Sequence, residues 1–114
     1  HAVLTDGELN GSEMTMEMAE LLRESGPWGH QFPEPLFDGE FSLLRQRIVG
    51  QRHLKLVLME PDSGVAIDAI HFNADTDTWP NDSVQRVRAV FRLDVNEFRG
   101  QRSLQLMIDH LLPL

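Results

Sequence analysis

Residues 41–73 read FSLLRQRIVGQRHLKLVLMEPDSGVAIDAIHFN, and this stretch decides the fold. Apolar and polar residues alternate with a period of two through Leu54, Leu56 and Leu58. Turn chemistry interrupts the pattern at 50–52 and again at 61–64. Short alternating runs bounded by Gly, Pro and Asp are the signature of strands joined by hairpins. Further along, the alternation returns in VQRVRAVFRLDV (84–95) and in RSLQLMIDHL (102–111), separated by turn signals at 74–83 and 97–101.

The pattern predicts five antiparallel strands near 41–49, 53–60, 65–73, 84–95 and 102–111. The residues expected to face inward are Leu54, Leu56 and Leu58, then Ile70 and Phe72, then Val87, Ala89, Phe91 and Leu93, and finally Leu104, Leu106 and Ile108. Five strands within about 70 residues are too few for a seven-stranded sandwich and favour a small closed barrel of the OB-fold type. The linker ADTDTWPNDS (74–83) is too short and too rich in Asp and Pro for the helix that many OB-folds carry there. The fold class is thus mainly β, a five-stranded OB-fold barrel preceded by an N-terminal helix and a proline-rich connector.

Upstream of the strands the period is 3.6. Over 12–25 Met14, Met18, Leu21 and Leu22 fall at helical spacing, Ser12 or Thr15 can act as N-cap, and Glu13, Glu17, Glu20 and Glu24 take the opposite face. Gly26-Pro27 ends the helix, and residues 26–39, GPWGHQFPEPLFDG, form an extended connector with three prolines and three glycines. Two regions follow, 1–40 (helix and connector) and 41–114 (barrel).

The chain has 114 residues, no cysteine and a net charge of −8. Absence of cysteine removes disulfides and thiolate metal sites and suits a reducing compartment, so a cytoplasmic location is expected. No apolar run approaches the roughly 20 residues that span a bilayer, and the acidic start (Asp6, Glu8, Glu13) has the wrong sign for a leader. His1 in place of Met suggests a piece of something longer. The acidic total argues against nucleic acid, yet it conceals an asymmetry: residues 1–40 hold nine acids and one base, Arg23, whereas 41–114 hold nine acids and nine bases.

Several segments occur in one order: MTMEMAELLRESGPWGHQFPEPLFDGEF (14–41), VGQRHLKL (49–56), AIDAIHFN (66–73) and LDVNEFRGQRSLQLMID (93–109). Together they resemble the carboxy-terminal end of bacterial RecJ-type exonucleases, from about residue 4 to residue 114. The resemblance implies a parent enzyme of two DHH-type catalytic domains followed by an OB-fold. Such an enzyme degrades single-stranded DNA from the 5′ end with Mn²⁺ or Mg²⁺, in DNA repair and recombination. Its metal ligands belong to the amino-terminal domains, so the resemblance carries no catalytic residue and no cofactor onto this chain. It makes 12–39 the junction with the second catalytic domain.

The residues themselves offer no competing chemistry. Asn73, Asp75 and Asp77 imitate the start of a calcium loop, but Thr78 stands where Gly is needed and Val84 where a bidentate acid is needed. Asx-turn chemistry accounts for them better. The five histidines lack metal-ligand spacing, and no serine has a nucleophile-elbow context.

The bases follow strand alternation. On an OB barrel a single strand crosses the face of strands two and three between the first-to-second and fourth-to-fifth loops. That geometry selects Arg52, His53, Lys55, Arg99 and Arg102 as phosphate contacts, converging at one rim if turns 50–52 and 97–101 lie together. Arg45 and Arg47 share a face of strand one, while Arg86, Arg88 and Arg92 fit either a DNA face or a plain solvated one. The helix acids are expected elsewhere, too far away to cancel the groove. Trp79, together with Phe98, is a candidate stacking platform, the alternative for Trp79 being a loop anchor. Two functions from different classes result. One is a module binding single-stranded DNA beside the catalytic domains of its own chain. The other is a structural and interaction domain that closes the enzyme around its strand and contacts partners such as single-stranded DNA-binding protein.

Overall fold

A computed structural model describes residues 5–9, 14–24 and 34–114. Helix α1 spans Met16–Glu24, and five strands follow: β1 Phe37–Val49, β2 His53–Met59, β3 Ala66–His71, β4 Arg86–Phe98 and β5 Gln101–Pro113. They close into one barrel in the order β1-β2-β3-β5-β4. This is the predicted mainly β, OB-type architecture.

Closure depends on β1 serving two neighbours. Its first half, 37–42, pairs with β4, and its second half, 42–49, pairs with β2. A register shift between Leu43 and Arg45 marks the change. An extra residue at that point bends the strand and increases its twist, as a barrel corner requires. The strand starts four residues earlier than the alternation suggested, because residues 37–40 already pair with β4, where the rings of Phe41 and Phe91 lie edge to face at 5.6 Å.

Two expectations need correction. The strands are not all antiparallel: β3 and β5 run parallel through Asp68–Gln105, Ala69–Leu106 and Ile70–Met107. Five strands in a closed ring cannot alternate direction throughout, so one neighbouring pair has to run parallel. The inward face of β3 is also reversed. Ile67 and Ala69 belong to the core, whereas Ile70 pairs with the outward Lys55, and Phe72 is 51% exposed. The other strands bury the expected residues except Leu104, which is partly buried against the core, with Leu54, Leu56, Leu58, Val87, Ala89, Phe91 and Leu106 all at or below 1% exposure.

The barrel is closed at its two ends by different devices. Residues 72–85 contain no helix, as anticipated, and form a loop instead. Trp79, 3% exposed, joins the core from this loop, and the Gln46 amide exchanges two hydrogen bonds with the Asn81 backbone at 2.6 and 2.9 Å. The Asp75 carboxylate accepts from Asp77 N and Thr78 Oγ1, an Asx turn that holds its carboxyl below the usual range, chiefly through the Thr78 hydroxyl. The opposite end is covered by α1 and Met14, two residues before it, with Met14 and Ala19 in the core and Met16, Met18 and Leu22 packed against it. Thr15 caps the helix, its hydroxyl accepting from Met18 N at 3.0 Å. The other N-cap candidate, Ser12, the helix end at Gly26-Pro27 and most of the connector lie outside the described residues. Residues 5–9 lie against the start of β1: Asp38 N donates to Gly7 O at 3.0 Å, and Leu36 N donates to Asp6 Oδ2 at 2.7 Å.

Candidate nucleic-acid interface

Register fixes which bases share a surface. Cross-strand partners point to the same side of a sheet, so the outer face of the barrel carries the rows Arg47–Lys55–Ile70–Met107 and Arg45–Val57–Asp68–Gln105. His53 extends this face by one row beside Val49. An open groove of about 710 Å³ follows it, lined by Arg45, Arg47 and Lys55, with Asp68 and Asp82 also on its wall. Arg52 stands at its upper end, where its carbonyl accepts from Ala74 N at 2.8 Å and ties the β1–β2 turn to the loop after β3.

Ion pairing then separates the cations into two classes. Arg86 meets Glu40 at 2.8 Å, Arg88 meets Asp38 at 2.5 Å and Glu40 at 3.4 Å, and Arg92 lies between Glu34 at 3.1 Å and Asp109 at 3.0 Å. These β4 arginines consume acids from the connector and from β1. Partial burial works against the Arg92 charge, but the hydrogen bond it donates to Glu34 and the fields of Asp109 and Glu34 outweigh it and raise its pKa further. Among the described residues, no ion pair involves Arg45, Arg47, Arg52, Lys55 or Arg99. The charge asymmetry of the sequence thus resolves in space: amino-terminal acids neutralise one side of the barrel and leave the other side's bases free.

The candidate residues do not all come together. β1 and β4 are antiparallel neighbours, so the turns at their carboxy-terminal ends, 50–52 and 99–100, point to opposite ends of the barrel. Arg52, His53 and Lys55 therefore do not converge with Arg99 and Arg102 on one rim. Arg102 is paired with Glu20 of α1 at 2.9 Å, so the helix acids do reach a base assigned to the interface. Arg99, at φ 53° in the β4–β5 turn, stacks over Phe98 at 5.1 Å. Trp79 is withdrawn as a stacking platform, because its burial leaves no face for a base; it is the loop anchor. His53 is tied to the loop after β3, its Nδ1 accepting from Asn73 N at 3.1 Å.

One residue of the face escaped the sequence reading. Phe72 projects beside His53, with ring centroids 5.1 Å apart and nearly perpendicular planes. The signal was present in Asp68, whose parity matches 70 and 72: an unpaired carboxylate avoids a dry core, so the face carrying Asp68 has to be the outer one.

Among the described residues, no cluster of His, Cys, Asp or Glu is placed to hold a metal ion. No described helix is long and apolar enough to cross a membrane.

Comparison with known proteins agrees with the fold. A family model described as the RecJ OB domain matches residues 5–110. The chain is 54% identical over 112 residues to the single-stranded-DNA-specific exonuclease RecJ of Escherichia coli, covering 98% of the chain and 19% of that protein. It is 49% identical to the protein of that name from Haemophilus influenzae, again over 98% of the chain and 20% of the relative. The chain thus spans about a fifth of the length of these relatives. The crystal structure of RecJ in complex with Mg²⁺ from Thermus thermophilus superposes with a TM-score of 0.70 at 20% identity, over 98% of this chain and 17% of that one, a likeness of fold.

Proposed function

The chain belongs to the RecJ OB domain family, and from that membership we propose that it is a single-stranded-DNA-binding module of a RecJ-like 5′-to-3′ exonuclease acting in DNA repair and recombination. The module holds the strand and does not cut it, and Mn²⁺- or Mg²⁺-dependent hydrolysis belongs to catalytic domains of the same enzyme. One observation carries the reading: Arg45, Arg47 and Lys55 line one groove without acidic partners among the described residues, although the chain is acidic as a whole. Unpaired cations on a sheet face suit phosphates, whose binding releases counterions. Arg52 extends the row, while Arg99 is a separate cation at the far hairpin.

The test is charge reversal. R47E combined with K55E should weaken oligonucleotide binding and reduce the slope of log affinity against log salt by about 1.4, at about 0.7 per phosphate contact on a single strand. Stability should change little, since exposed charges contribute about 0–1 kcal/mol each. Unchanged affinity and slope in a folded double variant would contradict the reading.

A second reading, an interaction domain that closes the enzyme around its strand and contacts proteins such as single-stranded DNA-binding protein, is favoured by Asp68 and Asp82 on the same groove. Acids there repel phosphate and can pair with basic side chains of a partner.

A further inference from the structure

We infer that Phe72 is a nucleobase-stacking site at the end of the basic groove and that His53 is its positioning residue. The inference rests on the single-strand reading above and adds to it the chemical class of the contact, a base rather than a phosphate. Phe72 is an aromatic ring on a barrel surface with 51% of its area open to solvent. Burial in the core does not explain it, because the core side of β3 is already filled by Ile67 and Ala69. Its backbone is nevertheless held from two directions. The His53 and Phe72 rings lie nearly perpendicular with centroids 5.1 Å apart, and His53 Nδ1 accepts from the N–H of Asn73, the residue after Phe72, which sits at φ 54°. One residue further, Ala74 N donates to the Arg52 carbonyl. An exposed ring braced by a neighbouring imidazole has less freedom to lose when a base stacks on it, which lowers the entropic cost of stacking.

The neighbours specify the occupant. Lys55 lies two residues along β2 from His53, on the same face, and Arg47 pairs across from Lys55. Arg52 is adjacent in the turn, and none of the three cations has an acidic partner among the described residues. A planar apolar surface bordered by unpaired cations matches a nucleotide, with its base on the ring and its phosphate on the cations. An apolar protein side chain would use the ring and leave the cations unmet.

The experiment measures affinity of the 114-residue chain for two probes of equal length, about ten residues: an oligothymidylate and an abasic deoxyribose–phosphate oligomer. F72A should weaken oligothymidylate binding on the order of tenfold, within the range of one stacked base, leave the salt slope unchanged and leave abasic binding unchanged. F72W should restore affinity, since indole presents a larger face. H53A should weaken oligothymidylate binding in the parent and have no further effect in F72A, the behaviour of a residue acting through the ring. F72A binding oligothymidylate as the parent does would overturn the inference while leaving the groove reading intact. Failure of the parent to bind either probe would overturn both. An equal loss on both probes would make Phe72 a structural residue and also overturn the stacking role.

Discussion

Glu60 is the one buried charged side chain among the described residues, at 5% exposure, and it organises the β2–β3 turn. Its carboxylate accepts from Ser63 N at 2.7 Å and Asp62 N at 3.1 Å, while its backbone pairs with Val65 and Gly64. Burial pushes the carboxyl up, but the hydrogen bonds from Ser63 and Asp62 outweigh it and hold the pKa below the ordinary glutamate value of 4.5. A depressed carboxyl contributes stability in full above its unfolded value and loses it as pH falls through the folded one. E60Q should therefore be less stable than the parent by about 1 kcal/mol near neutrality, with the gap closing as pH falls below about 4.5. Denaturant unfolding at a series of pH values checks this, and a gap that widens in acid would contradict it. This role was not legible beforehand: Glu60 ends an alternating run before Pro61, where a charged residue reads as solvated, and only folding of the turn brings the two N–H groups onto it. Trp79 was legible as one of two alternatives, because a lone aromatic in a polar loop serves equally well as anchor or platform until the barrel end is seen.

At the scale of elements, α1 closes the barrel end opposite the β3–β4 loop. It packs against β4 and β5, and its one ion pair to them, Glu20–Arg102, is half exposed. Apolar contact, not charge, holds it, and substitutions separate the two. R102A should cost less than about 1 kcal/mol. A19L, which forces three extra carbons into a site of 0% exposure, should cost about 1–3 kcal/mol by overpacking. Thermal or urea unfolding of both variants checks the order, and a larger loss in R102A would reverse the assignment. Period-two alternation located all five strands because each has one dry and one wet face. It misjudged β3, where Ile67, Ala69 and Ile70 put apolar residues on both faces and left only Asp68 to decide. It also could not supply strand directions around the ring, and hence placed two turns together that lie at opposite ends.

For the whole molecule the central quantity is how charge is distributed rather than its sum. Nine acids in residues 1–40 look like an obstacle to DNA when counted, yet Glu34, Asp38 and Glu40 are committed to the β4 arginines and Glu20 to Arg102. Among the described residues, the bases of 41–114 that remain without an ion pair lie mainly on β1, β2 and the turn between them. Strand alternation grouped Arg45 with Arg47 and placed Arg52, His53 and Lys55 at one turn, but the long-range pairs that silence Arg86, Arg88 and Arg92 join residues 17 to 58 positions apart and could not be read locally. The most direct measurement is amide chemical-shift mapping of the labelled chain as a short oligothymidylate is added at low salt. The account predicts shifts concentrated on 45–57 and 70–74, reversed by added salt, with the β4 positions 86, 88 and 92 unmoved. Shifts centred on those β4 arginines, or none at any salt concentration, would contradict it.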